Sequence, residues 1–152
     1  MVSPHDLYHS RGLSGADDSI APPQDAGIVE IEHHYVIERS LTALQSLENL
    51  VITLDSDAPF RLLQRVRTST GAFRFRMTNT EGAWMHSSGR NSGSSTEKIR
   101  DANFFGTAQL PGLFLAPMLF KPGGIIKYDL EDVSNATNAI QIVFSGVKLY
   151  QR

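Results

Sequence analysis

The segment RVRTSTGAFRFRM, residues 65–77, carries the densest group of side chains that could do chemistry. Four arginines alternate in it with apolar residues: Arg65, Arg67, Arg74 and Arg76. A guanidinium group can bind a carboxylate or a phosphate through two parallel hydrogen bonds. Because the whole chain has a net charge of only -2, this local positive charge indicates a binding surface rather than a generally basic protein.

Several partners could balance these arginines. Carboxylates on other predicted strands are one possibility, namely Glu30, Glu32, Asp129 and Glu131. An acidic surface of a neighbouring subunit, nucleic acid and water are the others. Nucleic acid is not favoured, because no aromatic platform flanks the arginines and the chain is slightly acidic. We expect the four arginines to contact a neighbouring subunit or carboxylates of the same sheet.

Other residues that could do chemistry form no recognisable site. His33 and His34 are adjacent in a predicted strand, so they point to opposite faces and cannot chelate one ion together. Asp55 and Asp57 could hold a cation weakly, but a turn explains them better. The chain has no cysteine and no zinc-protease, serine-hydrolase, phosphate-loop or EF-hand motif. We therefore expect no catalytic residue, no cofactor, no metal and no enzyme activity, and a cleft with converging acids or histidines would reverse that expectation.

The single tryptophan, Trp84, supports an alternative function. It lies beside the Gly/Ser-rich segment HSSGRNSGSS, residues 86–95. Together with Tyr128 or Tyr150 it could form a carbohydrate-binding surface. An indole exposed beside a concave sheet would favour that function, whereas an indole buried under the loop would oppose it. A position in the core or against a sheet is the simpler interpretation.

Two consecutive strands of the predicted fold contain the arginine segment. FRLLQRVR and AFRFRMT are predicted to form a hairpin joined by TSTG. In that arrangement Arg65 lies opposite Arg74, and Val66 faces the core together with Phe73 and Phe75. Strand side chains alternate between faces, so all four arginines would point outward.

The second half of the chain supplies further strands. LPGLFLAPMLF contains two prolines and predicts an edge or bulged strand. IIKYDLED alternates apolar and polar residues, as a half-buried strand does. In AIQIVFSGVKLY, the alternating Ile140, Ile142 and Phe144 should be buried on one face, with a bulge at Gly146. STEKIRDANFFG could form one short helix.

Residues 1–27 are predicted to form an extended N-terminal arm that precedes a β-sandwich domain of residues 28–152. The segment SGADDSIAPPQDAG has no apolar period, and such a segment buries too little surface to become ordered alone. We therefore expect the arm to contact neighbouring subunits. The sequence contains neither a run of about 18 apolar residues nor an apolar leader, so we expect no membrane span and no signal peptide.

Three stretches occur in a recognisable order: VITLDSDAPFRLLQRV, then FRFRMTNTEGAWMHSS, then NFFGTAQLPGLFLAPMLFKPGGIIKYDLEDVSNATNAIQIVFSGVKLY. A strand ending in Asp-x-Pro-Phe precedes a Phe/Arg strand. A GTA..P segment then leads into a Pro-Gly-Gly turn, an alternating strand, an Asn-rich turn and a last strand that ends FSGVKLY. In this order of features, the chain from residue 49 to its end resembles a loose class of tailed-bacteriophage virion proteins with a jelly-roll-like sandwich.

The resemblance agrees with the pattern of short strands and frequent turns in implying an all-β, antiparallel β-sandwich, jelly-roll-like, with at most one or two short helices. It implies a non-enzymatic structural protein of a phage virion, assembled in the bacterial host cytoplasm, whose partners are itself and other virion proteins. The expected role is that of a capsid decoration or minor capsid protein, present in rings or trimers. A neck, collar or tail-attached virion protein and a carbohydrate-binding β-sandwich module are the alternatives.

Overall fold

The computed structural model of the protein describes residues 27–86 and 98–152. These residues form eight β-strands and one four-residue helix. The elements are β1 (Ile28–Leu41), β2 (Ser46–Thr53), β3 (Phe60–Ser69), β4 (Phe73–Met77), β5 (Ile99–Arg100), α1 (Asp101–Phe104), β6 (Gly112–Phe120), β7 (Ile125–Asp132) and β8 (Asn138–Gln151).

The strands form two four-stranded sheets with a jelly-roll order. Sheet A has the order β1-β8-β3-β6, and sheet B has the order β2-β7-β4-β5. The first strand is thus next to the last, and the second is next to the seventh, as in the wrapped double Greek key of a jelly roll. The predicted all-β antiparallel sandwich with very little helix is confirmed for the part of the chain that the structure describes.

The chain comprises two units, of which the larger is Glu30–Leu149. The described residues of the smaller unit are 27–29 and Tyr150–Arg152. In the smaller unit, the backbone N–H of Arg152 donates a hydrogen bond to the carbonyl of Gly27 at 2.8 Å. The predicted arm and its boundary stay a prediction, because residues 1–26 lie outside the described residues.

Aromatic and aliphatic side chains from both sheets fill the core of the larger unit. The largest fully buried residues are Phe60, Phe73, Phe75, Phe120, Tyr128 and Phe144. In β8, Ile140, Ile142 and Phe144 are all buried, as the alternation of that strand predicted. Each aromatic ring removes roughly 150–250 Å² from water, so these rings dominate the stabilisation of the sandwich.

A β-bulge at Leu63 interrupts the regular pairing of β3. Leu62 pairs with Gly146 of β8, but Gln64 pairs with the adjacent Ser145, so Leu63 is an additional residue. One inserted residue reverses the side-chain alternation of everything beyond it. The bulge that the sequence predicted at Gly146 therefore lies in the opposite strand. Glycine is needed at that position, because a Cβ there would collide with the backbone of β3.

The predicted hairpin between the two arginine-containing strands is wrong. β3 belongs to sheet A and β4 to sheet B, so Arg65 and Arg74 are not cross-strand partners. The intervening residues pass from one sheet to the other and are held by the buried side chain of Asn138. This side chain accepts a hydrogen bond from the N–H of Gly71 at 3.0 Å and donates one to the carbonyl of Ala72 at 3.1 Å. These bonds satisfy backbone groups at the crossing between the sheets.

Candidate functional site

Arg65 and Arg67 lie on the core side of sheet A rather than on its outer side. Both pair in register with buried residues of β8, and directly paired residues project from the same face of a sheet. Val66, predicted to face the core, instead pairs with the half-buried Val143. The prediction that all four arginines point outward is thus wrong for Arg65 and Arg67, because the bulge at Leu63 reverses the alternation.

Arg65 is surrounded by aromatic rings and carbonyl groups. Its guanidinium carbon lies 4.1 Å from the ring centroid of Phe104 and 4.4 Å from that of Phe114. Its Nε donates to the carbonyl of Phe104, and its Nη1 donates to the carbonyl of Leu113 at 3.0 Å. Burial lowers the pKa of Arg65, yet a guanidinium remains charged at any physiological pH. The side chain therefore contributes a cation–π interaction that joins β3 to the segment around α1 and β6.

Arg67 forms a salt bridge with Asp101 that connects the two sheets. Its Nε lies 2.6 Å from Oδ2 of Asp101, whose side chain is only 6% exposed. The other carboxylate oxygen of Asp101 accepts a hydrogen bond from the backbone N–H of Phe73 at 3.2 Å. Because Arg67 belongs to sheet A and Phe73 to sheet B, one carboxylate holds both sheets together.

Arg74 and Arg76 point to the outer side of sheet B, as predicted. In register they lie opposite Glu131 and Asp129 of β7. The Nε of Arg76 is 2.5 Å from Oδ2 of the buried Asp129, whereas Nη1 of Arg74 is 3.6 Å from Oε1 of Glu131. Glu131 and Asp129 were two of the four carboxylates that the sequence suggested as intramolecular partners, and they pair with Arg74 and Arg76. Contacts of Arg65, Arg67, Arg74 and Arg76 with a neighbouring subunit stay a prediction.

Trp84 lies next to Arg76 and is half-buried. The guanidinium carbon of Arg76 is 3.8 Å from the centroid of the tryptophan ring. One face of the indole is thus covered by the protein's own cation, and a sugar could stack only on the other face. Apart from its first residue, His86, the Gly/Ser-rich loop that was expected beside it lies outside the described residues.

His86 is packed against the aromatic part of the core. Its ring centroid lies 4.9 Å from that of Phe104 and 6.4 Å from that of Phe75. Burial, assisted by the charges of Arg65 and Arg76, lowers the pKa of His86 to about 4. The imidazole is therefore neutral at physiological pH, and its Nε2 is buried without a hydrogen-bond partner among the described residues.

Asp55 and Asp57 bind a cation that belongs to the chain itself. Nζ of Lys148, a residue that is 5% exposed, lies 2.6 Å from Oδ2 of Asp55 and 3.0 Å from Oδ1 of Asp57. His33 Nε2 is 3.5 Å from the same oxygen of Asp55. The hydrogen bond from Lys148 lowers the pKa of Asp55. The two aspartates therefore attach the turn that follows β2 to Lys148 of β8.

A row of three polar residues on the outer side of sheet A was missed by the sequence analysis. Nδ1 of His34 lies 2.8 Å from Oγ of Ser145, and Nε2 of His34 lies 2.8 Å from Oε1 of Glu32. A groove of about 280 Å³ runs along this row and is also lined by Leu63, Gln64, Gly146 and Val147. Glu32 and His34 are two residues apart in one strand and share a face, but Ser145 comes from a strand 111 positions away.

The edge strand β6 exposes several leucines. Leu113 is 63% exposed, Leu115 is fully exposed and Leu119 is 55% exposed. Leu62 and Gln64 of β3 pair with Met118 and Leu113 of β6. Because Met118 and Leu113 are five positions apart, β6 leaves the regular hydrogen-bond ladder between these two residues. This irregular edge agrees with the strand type predicted from its two prolines. Exposed apolar residues clustered at a sheet edge are typical of an interaction surface.

No protein-family model, no curated protein and no solved structure matches the chain. Among residues 27–86 and 98–152, no group of three or more His, Asp or Glu residues is arranged to hold a metal ion. The same residues include no helix of the length and apolar character needed to cross a membrane. The expected relationship to tailed-phage virion proteins therefore stays a prediction.

Proposed function

We propose that this protein is a structural component of a phage virion, either a capsid decoration protein or a minor capsid protein. It would stabilise the particle through contacts between copies of itself and with other virion proteins. The observation that carries this proposal is the row of exposed leucines on the edge strand of a jelly roll. Jelly rolls occur in viral capsid and lectin domains, and the order of sequence features resembles virion proteins.

The energetic support comes from the leucines themselves. Fully burying a leucine side chain contributes about 1.5–3 kcal/mol, so Leu113, Leu115 and Leu119 together offer several kcal/mol to a partner. Pro117 cannot donate a hydrogen bond to a neighbouring strand, and the interrupted ladder leaves β6 a poor template for strand addition. Recognition at this edge would therefore depend on side-chain packing.

The arginines contribute unequally to the proposed contacts. Arg65, Arg67 and Arg76 are engaged within the chain, as described above. Arg74 is 39% exposed, lies 3.6 Å from its carboxylate partner and pairs in register with Arg100 of β5. Like charges directly opposite on a sheet are destabilising. An acidic side chain of a neighbouring subunit would relieve this repulsion, so Arg74 is the member of the predicted set best placed for an interface.

The leucine surface can be tested with a double variant, Leu113→Ser with Leu115→Ser. We expect the wild-type chain to self-associate in sedimentation velocity and the double variant to associate at least tenfold more weakly, at an unchanged melting temperature. The matched control is Val51→Ser with Ile125→Ser, which removes two exposed apolar residues from sheet B and should leave association unchanged. A wild-type chain that stays monomeric at high micromolar concentration, or equal losses in both variants, would contradict the proposal.

A neck, collar or tail-attached position would use the same surface. Symmetric assemblies use a closed set of copies, so the number of subunits distinguishes these positions from a capsid site. Mass measurement of the assembled species gives that number. Trimers favour a decoration protein, and a larger ring favours a neck or tail position.

A further inference from the structure

The row Glu32–His34–Ser145 has a defined direction of hydrogen bonding. A carboxylate only accepts hydrogen bonds, so Nε2 of His34 carries the proton donated to Glu32 at 2.8 Å. The lone pair of Nδ1 then faces the hydroxyl of Ser145, also at 2.8 Å. A nucleophile hydrogen-bonded to a base that a third group orients is the arrangement that activates a serine.

A fourth polar group lies directly across from the serine. Gln64 of β3 pairs with Ser145 of β8 in the strand register, and such pairs have Cβ atoms about 4.5–5.5 Å apart on the same face. The bulge at Leu63 brings two consecutive side chains, Leu63 and Gln64, to the wall of the same groove. A glutamine amide is one of the side-chain donors that can stabilise the oxyanion of an acyl-transfer reaction.

The groove itself limits what can react there. Its volume is about 280 Å³, and Leu63 and Val147 provide apolar walls. Pockets for drug-sized ligands are roughly 300–1,000 Å³, so this groove suits a short acyl chain. The exposed carboxylate of Glu32 disfavours anionic substrates by charge repulsion. The chemistry that fits is therefore a small, uncharged carboxylic ester.

We propose that Ser145 is a catalytic nucleophile that cleaves short uncharged esters, an activity beyond the assembly role proposed above. Oγ of Ser145 bonds to the ester carbonyl carbon while its proton passes to Nδ1 of His34. The carbon–oxygen bond to the alcohol breaks, and the leaving oxygen takes that proton. Water then attacks the acyl-serine, gives one proton to His34, and the proton returns to Ser145 as the acid departs.

The residues have different roles in this reaction. Ser145 and His34 are catalytic residues because they exchange the proton and form the bond. Gln64 would contact the developing oxyanion. Glu32 is a positioning residue, which holds the imidazole in the productive tautomer and stabilises the imidazolium.

The direct test uses a fluorophosphonate probe on the folded full-length chain, with peptide mapping of the labelled serine. We expect labelling of Ser145, its loss in Ser145→Ala and at least a tenfold slower rate in His34→Gln. The matched control is Ser40→Ala, which removes an exposed serine of β1 that lines a different groove and should leave labelling unchanged. Labelling of Ser145 that is no faster than in urea-unfolded protein would overturn the proposal, as would an equal rate in His34→Gln.

Turnover gives the second readout, with p-nitrophenyl acetate as the ester. The wild-type chain should release nitrophenol and form an acetyl adduct on Ser145 that is detectable by mass. Glu32→Gln should lower kcat at least tenfold with KM unchanged, whereas a purely structural role for Glu32 would leave kcat unaffected. Nitrophenol release that persists in Ser145→Ala without an acyl-serine would contradict catalysis at Ser145. Only variants whose melting temperature equals that of the wild type are compared. The double variant Leu113→Ser with Leu115→Ser should retain full labelling by the fluorophosphonate probe.

Discussion

β3 and β4 come from one continuous segment with the same alternation of arginine and apolar residues, yet they place their arginines on opposite sides of their sheets. β4 pairs residue for residue with β7, so its arginines point outward. β3 contains one additional residue, Leu63, so Arg65 and Arg67, which follow it, point inward. Alternation therefore predicts the faces of a strand only as far as its pairing is continuous.

The two strands also neutralise their charges differently. Arg65 and Arg67 of β3 reach rings, carbonyl groups and the almost completely buried Asp101. Arg74 and Arg76 of β4 form cross-strand pairs with acids of β7. Both arrangements place the compensating groups within the chain. The pairs Arg67–Asp101 and Arg76–Asp129 are similarly removed from water, and only the pair of Arg74 with Glu131 is clearly more exposed. The energetic value of an ion pair depends strongly on that removal.

The largest effect should come from Phe75→Ala compared with Val66→Ala. Strand alternation predicts that both residues lie on the core face, but Phe75 is 0% exposed and Val66 is half-buried beyond the bulge. Phe75→Ala should lower the free energy of unfolding by about 3–5 kcal/mol because it leaves a large cavity. Val66→Ala should cost about 1 kcal/mol. Urea unfolding measures both, and equal losses would show that the alternation of β3 is not reversed.

The next effect concerns the salt bridge that joins the sheets. Arg67→Met should lower the free energy of unfolding by about 2–3 kcal/mol, because the buried carboxylate of Asp101 loses its cation. Adding Asp101→Asn to this variant should recover part of the loss, since the amide needs no counter-charge. A double variant that is less stable than Arg67→Met alone would mean that the hydrogen bond from the N–H of Phe73 to the charged carboxylate outweighs the cost of burying that carboxylate without its cation.

A smaller effect should appear in the pH dependence of stability. The pKa of His86 is lowered to about 4 from 6.5, so between these pH values the unfolded chain binds a proton that the native chain does not. Stability contributed by the neutral imidazole is complete above pH 6.5 and is lost as the pH falls toward 4. In His86→Gln this slope should disappear. Urea unfolding at several pH values above 4 checks this, because the lowered pKa values of Asp55 and Asp132 act below that range.

The sequence predicted the layered fold because its signals are local. Alternation in β7 and β8, frequent turns and the two prolines of β6 each report the environment of a few neighbouring residues. The missing information is long-range. The residues near Leu63 give no sequence signal of a bulge. The bulge is defined only by the register in which β3 pairs with β8. Likewise, Ser145 meets His34, and Lys148 meets Asp55, only because distant strands become neighbours.

The smallest effect is expected for Arg74→Met. The partner oxygen on Glu131 is 3.6 Å away and Arg74 is 39% exposed, so water screens the pair and its contribution should stay below about 1 kcal/mol. Removing Arg74 also removes its repulsion with Arg100 across the β4–β5 pair, which offsets part of even that loss. Urea unfolding at low and high salt measures the balance, and the difference from wild type should shrink further at high salt. If Arg74→Met instead costs as much as Arg67→Met, the exposed pair of β4 stabilises the fold as strongly as the buried pair of β3, and exposure does not set the energetic value of these ion pairs.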